Sequence, residues 1–488
     1  MRSQFVLVAG LLSTSALGCG DDAKPPPKPE QDAGSDAAMI ATPQRLSLEQ
    51  LQDPETCKTC HPSQYAEWAS SMHAYAAEDP VFIAMNKRGQ RETNGALGDF
   101  CIQCHAPMAV RNGLTTDGLN VDTLPKAQKG VTCYFCHNAT GSGPDHFNAN
   151  VTLANDNVMR GSIRDAVDPG VHGVAYSEAH DGRRMAASEL CGSCHDVKND
   201  KGAHIERTFA EYESSIHNIS VRGNQGGDTC QGCHMPWVET TTIAKVPGMN
   251  LPQRDRHEHL WPAVDVALHD FPDREKFKLD TECTLSEDGA YIFELTNDGA
   301  GGFQIAIETR AGHAQPSGVA QDRRLWMEVI AYDETDKVLW QSGVIGDQDE
   351  EEYPVTDPRH DSQLCMFRNV WEDESGKEAH MFWEASKLRD NESRLLPLAI
   401  TPLANHVATC NYRTPGRIQP ARLTARMRMR PVSMTVLKDL VASGDLDAAV
   451  LKEMPTFTLH STVTEWKPSD GRSLYMPVAP AWPINCDE

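Results

Sequence analysis

The stretch Cys57-Lys58-Thr59-Cys60-His61-Pro62-Ser63-Gln64-Tyr65-Ala66-Glu67-Trp68-Ala69-Ser70-Ser71-Met72-His73 opens with two cysteines two residues apart, followed at once by a histidine. The same pattern returns four times, at Cys101-Cys104-His105, Cys133-Cys136-His137, Cys191-Cys194-His195 and Cys230-Cys233-His234. With 15 cysteines and 19 histidines in 488 residues, chance supplies about 0.02 such patterns. Two thiols at this spacing add across the vinyl groups of one haem, and the adjacent imidazole becomes an axial ligand of its iron. Zinc would pair two Cys-x-x-Cys elements roughly 15–20 residues apart. Here successive motifs lie 44, 32, 58 and 39 residues apart, and each carries a histidine that zinc does not require. The residues therefore predict five covalently bound haems c. The ten motif cysteines are the attachment points, and His61, His105, His137, His195 and His234 are iron ligands.

Beyond the first motif the sequence repeats itself. Tyr65-Ala66-Glu67-Trp68-Ala69-Ser70-Ser71-Met72-His73 aligns without gaps to Phe209-Ala210-Glu211-Tyr212-Glu213-Ser214-Ser215-Ile216-His217. Each copy follows one motif and precedes another, and the Cys133 motif, introduced by Gly130-Val131-Thr132, stands between the copies. A unit of motif, helix and motif has been used twice. Tyr65, Trp68, Ala69, Met72 and His73 fall on one face at helical spacing. The equivalent placing of His73 and His217 marks both as distal iron ligands; a histidine on an ordinary surface helix is the alternative. Five more imidazoles complete five bis-histidine irons. The candidates are His73, His146, His172, His180, His204, His217, His257, His259 and His269. The expected set is His73, His172, His180, His217 and His259. His172 and His180 stand in the Gly-rich stretch before Cys191, and His259 follows the last motif. Methionine, water or an open position at one iron is the other possibility.

These motifs, together with Tyr-Ala-Glu-Trp-x-Ser-Ser-x-His, resemble the cytochrome c-552/4 family, which includes tetrahaem carriers of ammonia oxidation and is related to hydroxylamine oxidoreductase. The resemblance covers about Leu48 to Phe271. It implies mainly helical or irregular chain wrapped on closely packed, often bis-histidine haems that relay electrons. A fifth motif and a long C-terminal stretch depart from the tetrahaem pattern.

The N-terminus reads as an export signal. Met1-Arg2-Ser3-Gln4 precedes an apolar run from Phe5 to Leu12, and small residues lead to Ala16-Leu17-Gly18-Cys19. The last four resemble a lipobox, so residues 1–19 are expected to be a lipoprotein signal ending at a lipidated Cys19 that tethers the chain to a membrane. Residues 20–47, rich in Asp, Ala and Pro, are expected to be a disordered linker. The expected location is periplasmic or at the outer membrane or cell surface. The formal charge of −24 argues against nucleic acid and favours redox partners with basic patches.

From about Asp273 the texture changes to alternating segments: Tyr291–Leu295, Phe303–Ile307, Leu325–Tyr332, Val338–Trp340, Ala421–Met429 and Phe457–Trp466, with a helix near Val436–Glu453. The fold class is α+β and multidomain: a mainly helical or irregular pentahaem domain over residues 48–272, then a β-sandwich over 273–488. Gly312-His313-Ala314-Gln315-Pro316-Ser317-Gly318 resembles a segment of sandwich domains attached to multihaem cytochromes. His313 either reaches over to an iron or caps a turn. Setting Cys19 aside, Cys283, Cys365, Cys410 and Cys486 allow up to two disulfides in three connectivities, with Cys365–Cys410 preferred. The leading function is electron transfer. The alternative is an oxidoreductase with one open iron acting on a small nitrogen or sulfur compound. A third reading is a surface adhesion or assembly module.

Overall fold

Proline and aspartate divide the first part of the chain into short helices. Asp53 caps Pro54–Lys58 by accepting from the Glu55 amide, and Asp79 caps Pro80–Glu92 by accepting from Val81. In both the proline stands in the first turn, where its missing N–H costs nothing. Each Cys-x-x-Cys-His motif lies on or beside one such helical turn: Pro54–Lys58, Ile102–His105, Cys133–Asn138, Met185–Gly192 and Cys230–His234. Short ladders fill the intervals, for example Ala139–Ser142 with Val151–Leu153 and Trp237–Thr241 with Arg254–His257. The computed structural model describes residues 44–218, 228–398, 406–475 and Cys486. The expected signal, Cys19 and nearly all of the linker lie outside the described residues. Among the described residues no helix is long and apolar enough to cross a membrane.

The later part is built on two antiparallel sheets. One runs in the order Ala408–Arg413, Gly302–Glu308, Tyr291–Asn297, Ser473–Tyr475. The other runs Val338–Ser342, Arg324–Tyr332, Arg422–Arg430, Phe457–Trp466, with Cys365–Phe367 continuing the edge beside Arg324–Tyr332. Arg422–Arg430 alternates up to its last residue: Leu423, Ala425, Met427 and Met429 are buried and Arg426 and Arg428 lie between them on the other face, while Arg430 is itself fully buried beside Glu351. Ile305 and Leu295 of the first sheet share one apolar core with Met327, Met427 and Leu459 of the second. The expected strands are present. The expected single helix near Val436–Glu453 is instead Met434–Ala442 followed by a 3₁₀ turn at Ala448–Lys452. Gly444, at φ +81, supplies the left-handed residue that ends the first, and Asp447 caps the second.

The described residues pack as one unit. Val81 and Met85 of the helix Pro80–Glu92 lie in one buried cluster with Trp383, Met434, Leu437 and Leu440. Ala203 and Ile205 pack with Trp371 and Ala385. Two disulfides, Cys283–Cys486 and Cys365–Cys410, each with a Cα separation of 5.8 Å, select one of the three connectivities open to the sequence.

Candidate functional site

Every motif histidine turns its Nδ1 toward an oxygen. The partners are the carbonyls of Ile243 for His61 (2.9 Å), Ala76 for His105 (2.7 Å), Arg160 for His137 (2.5 Å) and Pro262 for His234 (3.4 Å). His195 instead has the Glu206 carboxylate at 3.3 Å. A hydrogen bond at Nδ1 fixes the tautomer and the ring orientation, and leaves Nε2 free to ligate a metal.

Four of these five rings face a second imidazole. Ring centroids are 6.3 Å apart for His61 and His172, 6.3 Å for His73 and His195, 6.2 Å for His137 and His259, and 6.4 Å for His234 and His313. Two imidazoles sharing one metal through Nε2 at about 2 Å hold their centroids about 6 Å apart. The donor set thus fits iron between paired imidazoles. His172 and His313 also secure Nδ1 on carbonyls, of Gly173 at 3.0 Å and Ala314 at 3.1 Å. His105 differs. Among the described residues its ring contact is Phe82, stacked at 4.0 Å and 5°. Nor, among the described residues, do three or more His, Cys, Asp or Glu side chains close a metal site of their own.

Burial pushes His73 and His259 down to about 3, and His180 and His313 to about 4. It also lowers His61, His105 and His137. These are neutral imidazoles, the form that binds metal. At His195 burial works the same way, but the Glu206 carboxylate outweighs it and lifts the ring to about 9.

Of the expected distal set, His73, His172 and His259 each stand opposite a motif histidine. His180 also faces His137, at 5.5 Å, but its Nε2 is hydrogen-bonded to the Cys136 carbonyl at 2.8 Å. His217 places its Nε2 against the Arg310 carbonyl at 3.0 Å. The remaining candidates have other partners: His146 with the Ser142 hydroxyl (2.7 Å), His204 with Asp196, His257 with the Met235 carbonyl (2.5 Å), and His269 with the carbonyls of Asp270 and Glu78 (2.9 and 3.1 Å). His313, outside the expected set, occupies the place opposite His234. Its Gly-His-Ala-Gln-Pro-Ser-Gly setting was the signal for it.

The motifs lie side by side. The thiols of Cys57 and Cys133, of Cys104 and Cys194, and of Cys191 and Cys230 lie close enough to shift one another's titration. Cys136 is close enough to Cys191 and Cys194 to act on them electrostatically. The ten motif cysteines form no disulfides.

A family model described as cytochrome c554 and c-prime matches residues 56–138, which hold the first three motifs and the first copy of the repeat. No curated protein matches the chain. Among solved structures, a penta-heme cytochrome c552 from Thermochromatium tepidum is similar in fold, with a TM-score of 0.57 at 20% identity over 86% of this chain and 99% of that one. The family match over the first three motifs and the shared fold, set beside five Cys-x-x-Cys-His motifs, support a multihaem c-type cytochrome.

Proposed function

We propose that the chain is an exported electron carrier holding five haems c. Cys57 and Cys60, Cys101 and Cys104, Cys133 and Cys136, Cys191 and Cys194, and Cys230 and Cys233 would hold them by thioether bonds. The axial pairs would be His61 with His172, His137 with His259, His195 with His73, and His234 with His313, and His105 would stand alone. Bound haem supplies reversible one-electron exchange at iron. The protein's part is to fix each motif imidazole through Nδ1 and to hold the attachment cysteines of neighbouring motifs close together. The observation that carries this reading is the 6.2–6.4 Å imidazole pairing at four of five motif histidines. Mass analysis and electron paramagnetic resonance of matured protein test it. Five haems with at least four low-spin irons are expected. Apo-polypeptide, bound zinc or a high-spin majority overturns it.

The solitary His105 favours a second reading, in which one open iron acts on a small nitrogen or sulfur compound. Carbon monoxide shifting the spectrum of one haem in five is the expected sign. No shift removes the open site and the enzymatic reading with it.

The two sheets that share one core are read as a β-sandwich, residues 273–488, following a haem-bearing region over 48–272. Export, lipidation of Cys19, and docking of redox partners through basic patches follow from the leader and the charge of −24. Replacing Cys19 by serine is expected to release the protein from the membrane fraction.

A further inference from the structure

The repeat seen in the sequence is also a repeat of hydrogen bonds. Trp68 Nε1 donates to the carbonyl of Val131, two residues before Cys133, at 2.8 Å. At the aligned position the Tyr212 hydroxyl donates to the carbonyl of Asp228, two residues before Cys230, at 3.1 Å. The Ser70 and Ser214 hydroxyls donate to the carbonyls of Glu67 and Glu211. Gly130, at φ +71, lets the first copy close up, since a Cβ there would lie 2.5 Å from the His73 carbonyl oxygen. The equivalent units are therefore the first motif with the third, and the fourth with the fifth. The second motif, with the solitary His105, is an insertion in the first unit.

One matched pair has an evident use. Glu67 accepts the backbone N–H of His259 at 3.0 Å while Arg256 grips its carboxylate at 2.5 and 2.7 Å. Glu211 accepts the backbone N–H of Ala314, next to His313, at 3.1 Å, with Arg207 at 3.5 Å. Each glutamate thus ties down a segment far along the chain that carries the imidazole facing the second motif of its own unit. We propose that Glu67 and Glu211 are positioning residues that set His259 opposite His137 and His313 opposite His234. This rests on the ligand pairs given under Proposed function. A carboxylate suits the task because it receives an amide and a guanidinium at once.

The test uses matured full-length protein carrying Glu67→Ala, Glu67→Gln, Glu211→Ala or Glu211→Gln. Each alanine variant is expected to keep five haems but to gain one carbon-monoxide-reactive, high-spin haem relative to the parent. The glutamine variants, whose amide oxygen still accepts the N–H, are expected to stay near the parent spectrum. Should an alanine variant fail to mature, Glu67→Asp and Glu211→Asp, one methylene short, are expected to show the same gain in part. Parent-like ligation in both alanine variants, or in the aspartate variants standing in for them, overturns the proposal. A parent protein without low-spin bis-imidazole signals would instead sink the ligand pairs themselves.

Discussion

Among the described residues of the motif-bearing part the longest helix, Pro80–Glu92, has 13 residues, and the strands of the ladders between motifs have two to five. In the sheet-bearing part Arg324–Tyr332 alone has nine residues, seven of them buried, and Trp326 and Met327 are fully enclosed. Helices and two-stranded ladders this short do not persist on their own. The first part has small apolar clusters, such as Leu51, Met108, Tyr134 and Phe135, and on the proposed function it would lean on what its cysteines and histidines hold; the second rests on one large apolar core and two disulfides.

The sharpest way to break this contrast is to replace the ten motif cysteines by alanine. Amide-exchange protection is expected to collapse across 48–272 while the strands between Tyr291 and Tyr475 stay protected. Equal loss in both parts would erase the distinction. Next in size, Trp326→Ala should cost about 3–5 kcal/mol in chemical denaturation, because it empties a fully buried site and leaves the Gly343 carbonyl without its donor. A loss below about 1 kcal/mol would mean that the sheet core is not what orders this part. Cys283→Ser opens a cross-link spanning 203 residues and should cost about 2–5 kcal/mol, read as a lowered melting temperature. An unchanged melt in non-reducing buffer would show that the bond contributes nothing.

The smallest effect is one of pH. Burial raises Asp322 to about 7 against the pull of Arg324 and Arg323, so the fold favours its protonated form. Its stabilising contribution is complete below about pH 4 and is lost as pH rises through about 7. Asp322→Asn should flatten that slope in denaturation series, and a slope left intact would acquit this residue.

The sequence revealed what is chemically local. Five motifs announce themselves because attachment and ligation need adjacent residues. The strands from Tyr291 to Trp466 were legible because one face alternates with the other. The imidazoles opposite the motifs were harder, since each arrives from a remote segment. His172 lies 111 residues after His61 and His195 lies 122 after His73, with nothing but glycines or a helix to mark them. The repeat identified His73 and His217 by the same rule, yet the structure sets one against an imidazole and the other against a backbone carbonyl. Aligned residues whose neighbours differ need not share a partner. The tail strand Ser473–Tyr475 escaped notice because it is a three-residue edge that its pairing alone defines, whereas Ala408–Arg413 does alternate, with Ala408, Cys410 and Tyr412 buried, and was legible but missed.

His313 stands 79 residues beyond His234. A chain that emerges N-terminus first exposes the fifth motif well before the segment that completes its surroundings. On the proposed pairing, the fifth site would be complete only once the segment bearing His313 has packed opposite His234. A polypeptide truncated before His313 would then leave His234 without its facing imidazole, while a finished one would not.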